Sequence, residues 1–312
     1  MFLDWSGSMV EHIGNTIKQL VNLTSFCKKV NIPFEVYSFV ERIMPEKEFS
    51  QSPKTGDLQI HRFGLANILS SRMNSVEMTY AYSALFAMAG VNGRRARTPL
   101  WLCMSGTPLN EAIIAAMEIV PEFQKKYNLQ FVNTVFLTDG EGSNIGYAYS
   151  SEFNCEPLFR AYNKSISHIV LRDPVNKREV KYENVYSSFS QTKALIRLLK
   201  LRTNSNVIGF YVTTNRELSR KITTFYPETQ KDFNKQTEIR DSFRKNKYLI
   251  VENSGFDEYY VLRSQGLDTE ENTELQAPGS GTTRSFVSAF SKYTGNKINN
   301  RVILNRFINL IT

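Results

Sequence analysis

The chain has 312 residues, 41% hydrophobic and 22% charged, with a formal net charge of +8 at pH 7. That is enough chain to bury a full core at an ordinary apolar fraction, and no apolar run is long enough to span a bilayer, so a membrane partner is not expected. Three scattered cysteines (Cys27, Cys103, Cys155) and three scattered histidines (His12, His61, His168) form neither a disulfide framework nor a zinc-ligand pattern, and they fit a reducing, cytoplasmic setting.

In chain order, Met1-Phe2-Leu3 reads as the end of a strand, with no targeting segment ahead of the fold. Only these three residues precede Asp4, against the five or six typical of a strand. The expectation is a strand that is unusually short or lacks an upstream portion. Met9, Ile13, Ile17, Leu20, Val21, Leu23 and Phe26 mark an apolar stripe at helical spacing over 9–30. Residues 33–40 alternate as a strand, and 58–63 is its expected antiparallel edge neighbour. A helix is predicted over 74–90, ending at Gly90. Thr107-Pro108 then opens a long helix to about Lys126, with Thr as cap and Pro at the first helical position.

Residues 130–137 form an almost wholly apolar run, the pattern of a buried parallel strand. The stretch 143–187 reads as an insertion, in which Asp173-Pro174-Val175-Asn176-Lys177 is the turn of a hairpin. A helix at 190–202, a strand at 206–212, a helix at 215–225 and a strand at 247–251 follow. Tyr259–Leu262 either pairs with that last strand or caps it. The expected organisation is a domain over 1–262, a flexible linker over 263–284, and a C-terminal helical segment over 285–312. Strands alternating with helices predict an α/β fold, doubly wound, with a mostly parallel central sheet covered by helices on both faces. Ligands in such sheets bind at the carboxyl ends of strands near a switch in strand order.

Three segments carry chemistry. Asp4-Trp5-Ser6-Gly7-Ser8-Met9 sets a carboxylate and two hydroxyls at alternate positions. Ser105-Gly106-Thr107-Pro108-Leu109 opens an apolar helix. Val135-Phe136-Leu137-Thr138-Asp139-Gly140-Glu141 is an apolar run ending in Asp-Gly. Each alone has an ordinary structural reading: a helix cap for the first two and a turn for the third. Asp4 and Asp139 both stand at predicted strand ends, where a metal reading and the fold reading agree.

The ordered trio resembles the metal-ion-dependent adhesion site of von Willebrand factor type A domains, with Asp4, Ser6, Ser8, Thr107 and Asp139 in the family's order. The resemblance covers roughly residues 1–255, and the general character of the remainder looks like the cobaltochelatase CobT-type branch of phages and bacteria. It implies Mg2+ (or Mn2+) bound directly by the hydroxyls of Ser6, Ser8 and Thr107, with Asp4 and Asp139 acting mostly through water. Neutral hydroxyls leave the cation electrophilic, with a vacancy for an acidic side chain from a partner. The narrower likeness implies a AAA+ ATPase partner of the CobS or MoxR type, in the cytoplasm or in the host cytoplasm for a phage protein. Glu141 reads as a solvated loop carboxylate and Trp5 as a packing residue.

Other function classes are weaker. No Gly-x-Ser-x-Gly elbow, His-Glu-x-x-His helix or phosphate-cradling loop is present. A Ser6 or Ser8 nucleophile would need a base, for which only His12 offers itself. The basic clusters Arg94–Arg97 and Arg240–Lys247 leave nucleic-acid association as the alternative, without a recognisable reading module. A cobaltochelatase-like subunit is a further alternative, although no tetrapyrrole-pocket signature is apparent.

Overall fold

The computed structural model describes residues 1–41, 54, 56–58, 60, 62–92, 103–140, 142–146, 169–182, 188–252 and 254–264. Their centre is a seven-stranded, mostly parallel sheet with helices on both faces. Its strands are β1 (Phe2–Asp4), β2 (Glu35–Glu41), β3 (Phe63–Ser70), β4 (Asn133–Thr138), β7 (Asn206–Thr213), β8 (Tyr248–Ile250) and β9 (Glu258–Arg263). A separate two-stranded hairpin joins β5 (Ile169–Arg172) to β6 (Glu179–Tyr182). The helices are α1 (Ile13–Lys29), α2 (Ser75–Asn92), α3 (Leu109–Tyr127), α4 (Ser188–Thr203), α5 (Asn215–Phe225) and α6 (Phe233–Asn246). Among the described residues no helix is long and apolar enough to cross a membrane.

The strand order is β3-β2-β1-β4-β7-β9-β8. β1 lies between β2 and β4 and runs parallel to both, while β3 and β8 are antiparallel edges. The chain winds outward to β2 and β3 on one side of β1, then resumes at β4 on the other. The sheet therefore reverses its order between β1 and β4, which opens a crevice at their carboxyl ends.

Alternation along the strands divides the core. Leu3, Val135, Leu137, Ile208 and Phe210 face the side of α1 and α2, whereas Phe2, Phe136 and Val207 face α3 and α4. A third cluster seats α5 and α6 on Tyr211, Tyr259 and Val261. The inner strands are buried on both faces, which explains their nearly continuous apolar runs.

Most predicted elements stand within a few residues of their expected bounds, and the differences have physical causes. The stripe over 9–30 is interrupted: residues Gly7–Glu11 form a 3-10 turn before α1 begins at Ile13. The apolar spacing runs through this break and so conceals it. The edge strand lies at Phe63–Ser70, not at 58–63; its pairing with β2 shifts at Val36/Tyr37, a bulge that ordinary alternation does not reveal.

α2 continues through Gly90 to Asn92, since a glycine weakens a helix without ending it. α3 begins at Leu109 with Pro108 as its N-cap and no side-chain capping bond, so Thr107 is not the cap. The hairpin is present, with Asp173–Lys177 as its turn. Thr214 and Glu217 form a reciprocal capping box at the start of α5. α6 carries no apolar stripe, because Phe243 is its one buried residue. Tyr259–Leu262 proves to be an inner strand, parallel to β7 and antiparallel to β8. Of the expected 263–284 linker only Arg263 and Ser264 are described, both joined to the sheet; its remainder and the 285–312 helical segment lie outside the described residues.

Candidate metal centre

The parallel register of β1 and β4 (Phe2 opposite Phe136, Leu3 opposite Leu137) carries Asp4 up beside Thr138. The Thr138 hydroxyl donates to Asp4 Oδ2 across 2.6 Å, and the Ser6 backbone N–H donates to Asp4 Oδ1 across 2.9 Å. Asp4 is fully buried, with both oxygens engaged. Trp5 is buried in the core on the α1 side, as its packing role predicts.

Ser6 stands at the head of the 3-10 turn in extended conformation, and its side chain makes no capping bond. Instead its hydroxyl lies 3.1 Å from that of Ser8, and the Ser8 hydroxyl donates to Asp139 Oδ1 across 2.8 Å. The hydroxyls thus turn toward one another and toward the end of β4, not onto the following turn.

The third segment is drawn in by backbone pairing. Ser6 and Ser105 form a parallel bridge, and Gly7 N–H donates to Ser105 O across 2.7 Å. Glu41, at the end of β2, holds this loop from the other side: its Oε2 accepts from Gly106 N–H at 3.1 Å and from the Ser105 hydroxyl at 3.4 Å. A β-carbon at 106 would overlap Glu41 Oε2, so a larger residue there would make the Glu41 carboxylate swing aside from the loop it holds. A β-carbon on Gly140 would lie 3.0 Å from Thr107 Oγ1, which sets the Thr107 side chain against the turn after Asp139. The five predicted residues therefore gather at one end of the sheet, in the crevice where its order reverses.

Burial pushes the Asp4 carboxyl up to about 7; its hydrogen bonds from Thr138 and Ser6 offset this in part, and the Asp139 charge adds to it. Burial also raises Asp139, against the hydrogen bond from Ser8 and the nearby His12. Two carboxyls whose charge burial disfavours, one of them also disfavoured by the other, would make with the three hydroxyls a hard all-oxygen donor set. A small divalent cation suits it, because the ion relieves both the burial and the repulsion. Among the described residues no three His, Cys, Asp or Glu side chains gather as a metal cluster, so a cation here would depend on the hydroxyls.

Sequence reasoning missed several supporting groups. Thr138 stood in plain view beside Asp139, and its place at a strand end opposite Asp4 was a usable signal. Glu41 had none, since its role arises from the loop folding back onto β2. Glu217 lies close enough for its charge to be felt at Asp139, through the α5 capping box. His12 is buried and makes no described hydrogen bond to Ser6 or Ser8, so the nucleophile-base pairing gains nothing. Of the basic clusters, Arg240–Lys247 lies at the end of α6, where Arg244 pairs with Asp241. Arg94–Arg97 and Glu141 lie outside the described residues.

No family model and no curated protein matches the chain. Among solved structures, the pilus adhesin SpaC from Lactobacillus rhamnosus GG, in its open conformation, matches 71% of this chain with a TM-score of 0.39 and 10% identity. This chain covers 25% of that adhesin's length. So slight a likeness bears on neither fold nor function.

Proposed function

We propose that this protein is a metal-dependent protein-binding module of the von Willebrand factor type A kind. Mg2+ (or Mn2+) would be held by Ser6, Ser8 and Thr107, with Asp4 and Asp139 behind them, and would present an open position to an acidic side chain of a partner. The observation that carries this reading is the Ser8 to Asp139 hydrogen bond, with Ser6 on one side of it and the Thr107 to Gly140 contact on the other. Three distant stretches of chain thereby offer oxygens to one point at the mouth of a sheet crevice.

What the residues can do follows from their chemistry. The hydroxyls contribute oxygen without cancelling charge, so a bound cation stays a strong Lewis acid toward a carboxylate from outside. Asp4, locked by Ser6 N–H and the Thr138 hydroxyl, orients the first loop and cannot swing out to fill the vacancy. Thr107 belongs to a separate loop, whose position decides whether the donor set is complete.

The partner we infer is a AAA+ ATPase of the CobS or MoxR type carrying an exposed acidic residue, with this chain as the non-ATPase, CobT-like member of the pair. The test is capture of such an ATPase by the full chain in Mg2+, in EDTA, and in EDTA followed by excess Mg2+. Loss in EDTA with recovery in Mg2+ supports the reading, whereas capture indifferent to the chelator refutes it.

A further inference from the structure

The loop that follows Asp139 is fastened to two helices by a buried polar cluster. Asn110, in the first turn of α3, is fully buried. Its amide nitrogen donates to Ser143 O at 2.8 Å and to Gln191 Oε1 at 2.9 Å, while its Oδ1 accepts from the Thr192 hydroxyl at 2.6 Å. Gln191, in α4, is also buried and grips a single residue of the loop twice. Its Oε1 accepts from Ile145 N–H at 2.7 Å, and its Nε2 donates to Ile145 O at 3.0 Å. The side-chain amide thus pairs with Ile145 as a neighbouring strand would. Gly142 fits because a β-carbon there would lie 3.0 Å from Asn110 Oδ1.

The cluster's placement gives it a consequence. Asn110 follows Thr107 by three residues, and Ser143 follows Asp139 by four, so one side chain ties both outer arms of the candidate metal centre together. Gln191 joins the first turns of α4 to Ile145, 46 positions earlier in the chain. Described hydrogen bonds engage every polar atom of both amides, with both hydrogens of Asn110 Nδ2 and both acceptor positions of Gln191 Oε1 in use. Satisfied buried networks of this sort fix a single geometry, and breaking one member strands the others.

Resting on the metal reading above, we infer that Asn110 and Gln191 are positioning residues of the metal centre. They hold the Thr107 and Asp139 arms to one another through Ser143 and Ile145. Neither residue reaches the cation; each acts through the loop it holds.

The test uses the full chain and Mn2+ alone as the probe, with affinity measured by titration well below the unfolding temperature. Gln191→Met keeps the side chain's length and removes its polar atoms, and Mn2+ affinity should fall ~10-fold or more, the usual effect of losing an outer partner. Leu199→Ala, in the same core cluster, should lower thermal stability while leaving affinity unchanged. If wild type takes up no Mn2+, the metal reading fails and takes this inference with it. If wild type binds and Gln191→Met binds equally, or Leu199→Ala weakens binding as much, the positioning role is overturned and the metal reading stands. Should Gln191→Met not fold, Thr192→Val removes the hydroxyl that orients Asn110 at nearly constant shape. It should weaken Mn2+ binding ~3-fold or more, and unchanged affinity overturns the inference.

Discussion

The Ser8 hydroxyl and the Asp139 carboxylate meet across 2.8 Å although 131 positions separate them in the chain. Ser8 is exposed and its bond to Asp139 is solvent-accessible. A hydrogen bond in that setting contributes about 1 kcal/mol or less to stability. Ser8→Ala should therefore unfold within about 1 kcal/mol of wild type in EDTA. It should nonetheless lose the stabilisation that Mg2+ gives wild type, because a neutral donor is gone. Paired thermal scans with and without Mg2+ check this; an intact Mg2+ shift in Ser8→Ala would remove Ser8 from the donor set.

Asp4 should behave in the opposite way. It is buried, and its charge is disfavoured by that burial and by Asp139. Asparagine can accept from Ser6 N–H with its oxygen and donate to the Thr138 hydroxyl with its nitrogen. Asp4→Asn should therefore keep the local geometry and raise the stability of the metal-free protein by about 1 kcal/mol at pH 8, while abolishing the Mg2+ shift. Denaturant unfolding in EDTA, then in Mg2+, separates the two effects. A metal-free Asp4→Asn protein clearly less stable than wild type would mean that the carboxylate is structural.

The contrast between these residues shows what the sequence could disclose. The ordered spacing of Asp4, Ser6, Ser8, Thr107 and Asp139, each behind an apolar run or ahead of an apolar helix, placed all five at strand or helix ends. The fold then brought them to one crevice. Spacing could not show what holds them there. Thr138 acts through its position opposite Asp4, Glu41 through a loop that folds back onto β2, and Asn110 and Gln191 through contact between two helices. Such partners are fixed by tertiary packing, and no local pattern encodes them. The same limit explains α6, whose polar surface leaves no stripe to read, and β9, whose place inside the sheet depends on its pairing with β7.

Gly209 illustrates a tertiary demand of another kind. It lies mid-strand in β7, opposite Tyr259 of β9, and the Tyr259 ring covers it, stacked on Phe256 with ring centroids 4.8 Å apart. A β-carbon at 209 would collide with Tyr259 and crowd Phe256. Gly209→Ala should cost roughly 1–3 kcal/mol through overpacking, despite the better strand propensity of alanine. Urea titration of the variant gives the figure, and pairing it with Tyr259→Ala should recover part of the loss. A neutral Gly209→Ala would show that the aromatic pair moves aside freely.

Glu111 provides a pH prediction outside the donor set. It lies in the first turn of α3, buried, with Oε2 lacking a hydrogen-bond partner among the described residues. Burial, with the Glu41 charge adding to it, pushes its carboxyl from 4.5 up to about 7. The folded state therefore holds this proton more tightly than the unfolded chain does. Stability from Glu111 is complete below pH 4.5, falls as pH rises from there, and is lost above about 7. The full difference amounts to roughly 3 kcal/mol. Glu111→Gln removes the titration, so it should match wild type near pH 4.5 and exceed it by most of that amount at pH 8. Denaturation midpoints across this interval decide the matter: parallel curves for the two proteins would mean that the Glu111 carboxyl is ionised in the folded state at little cost.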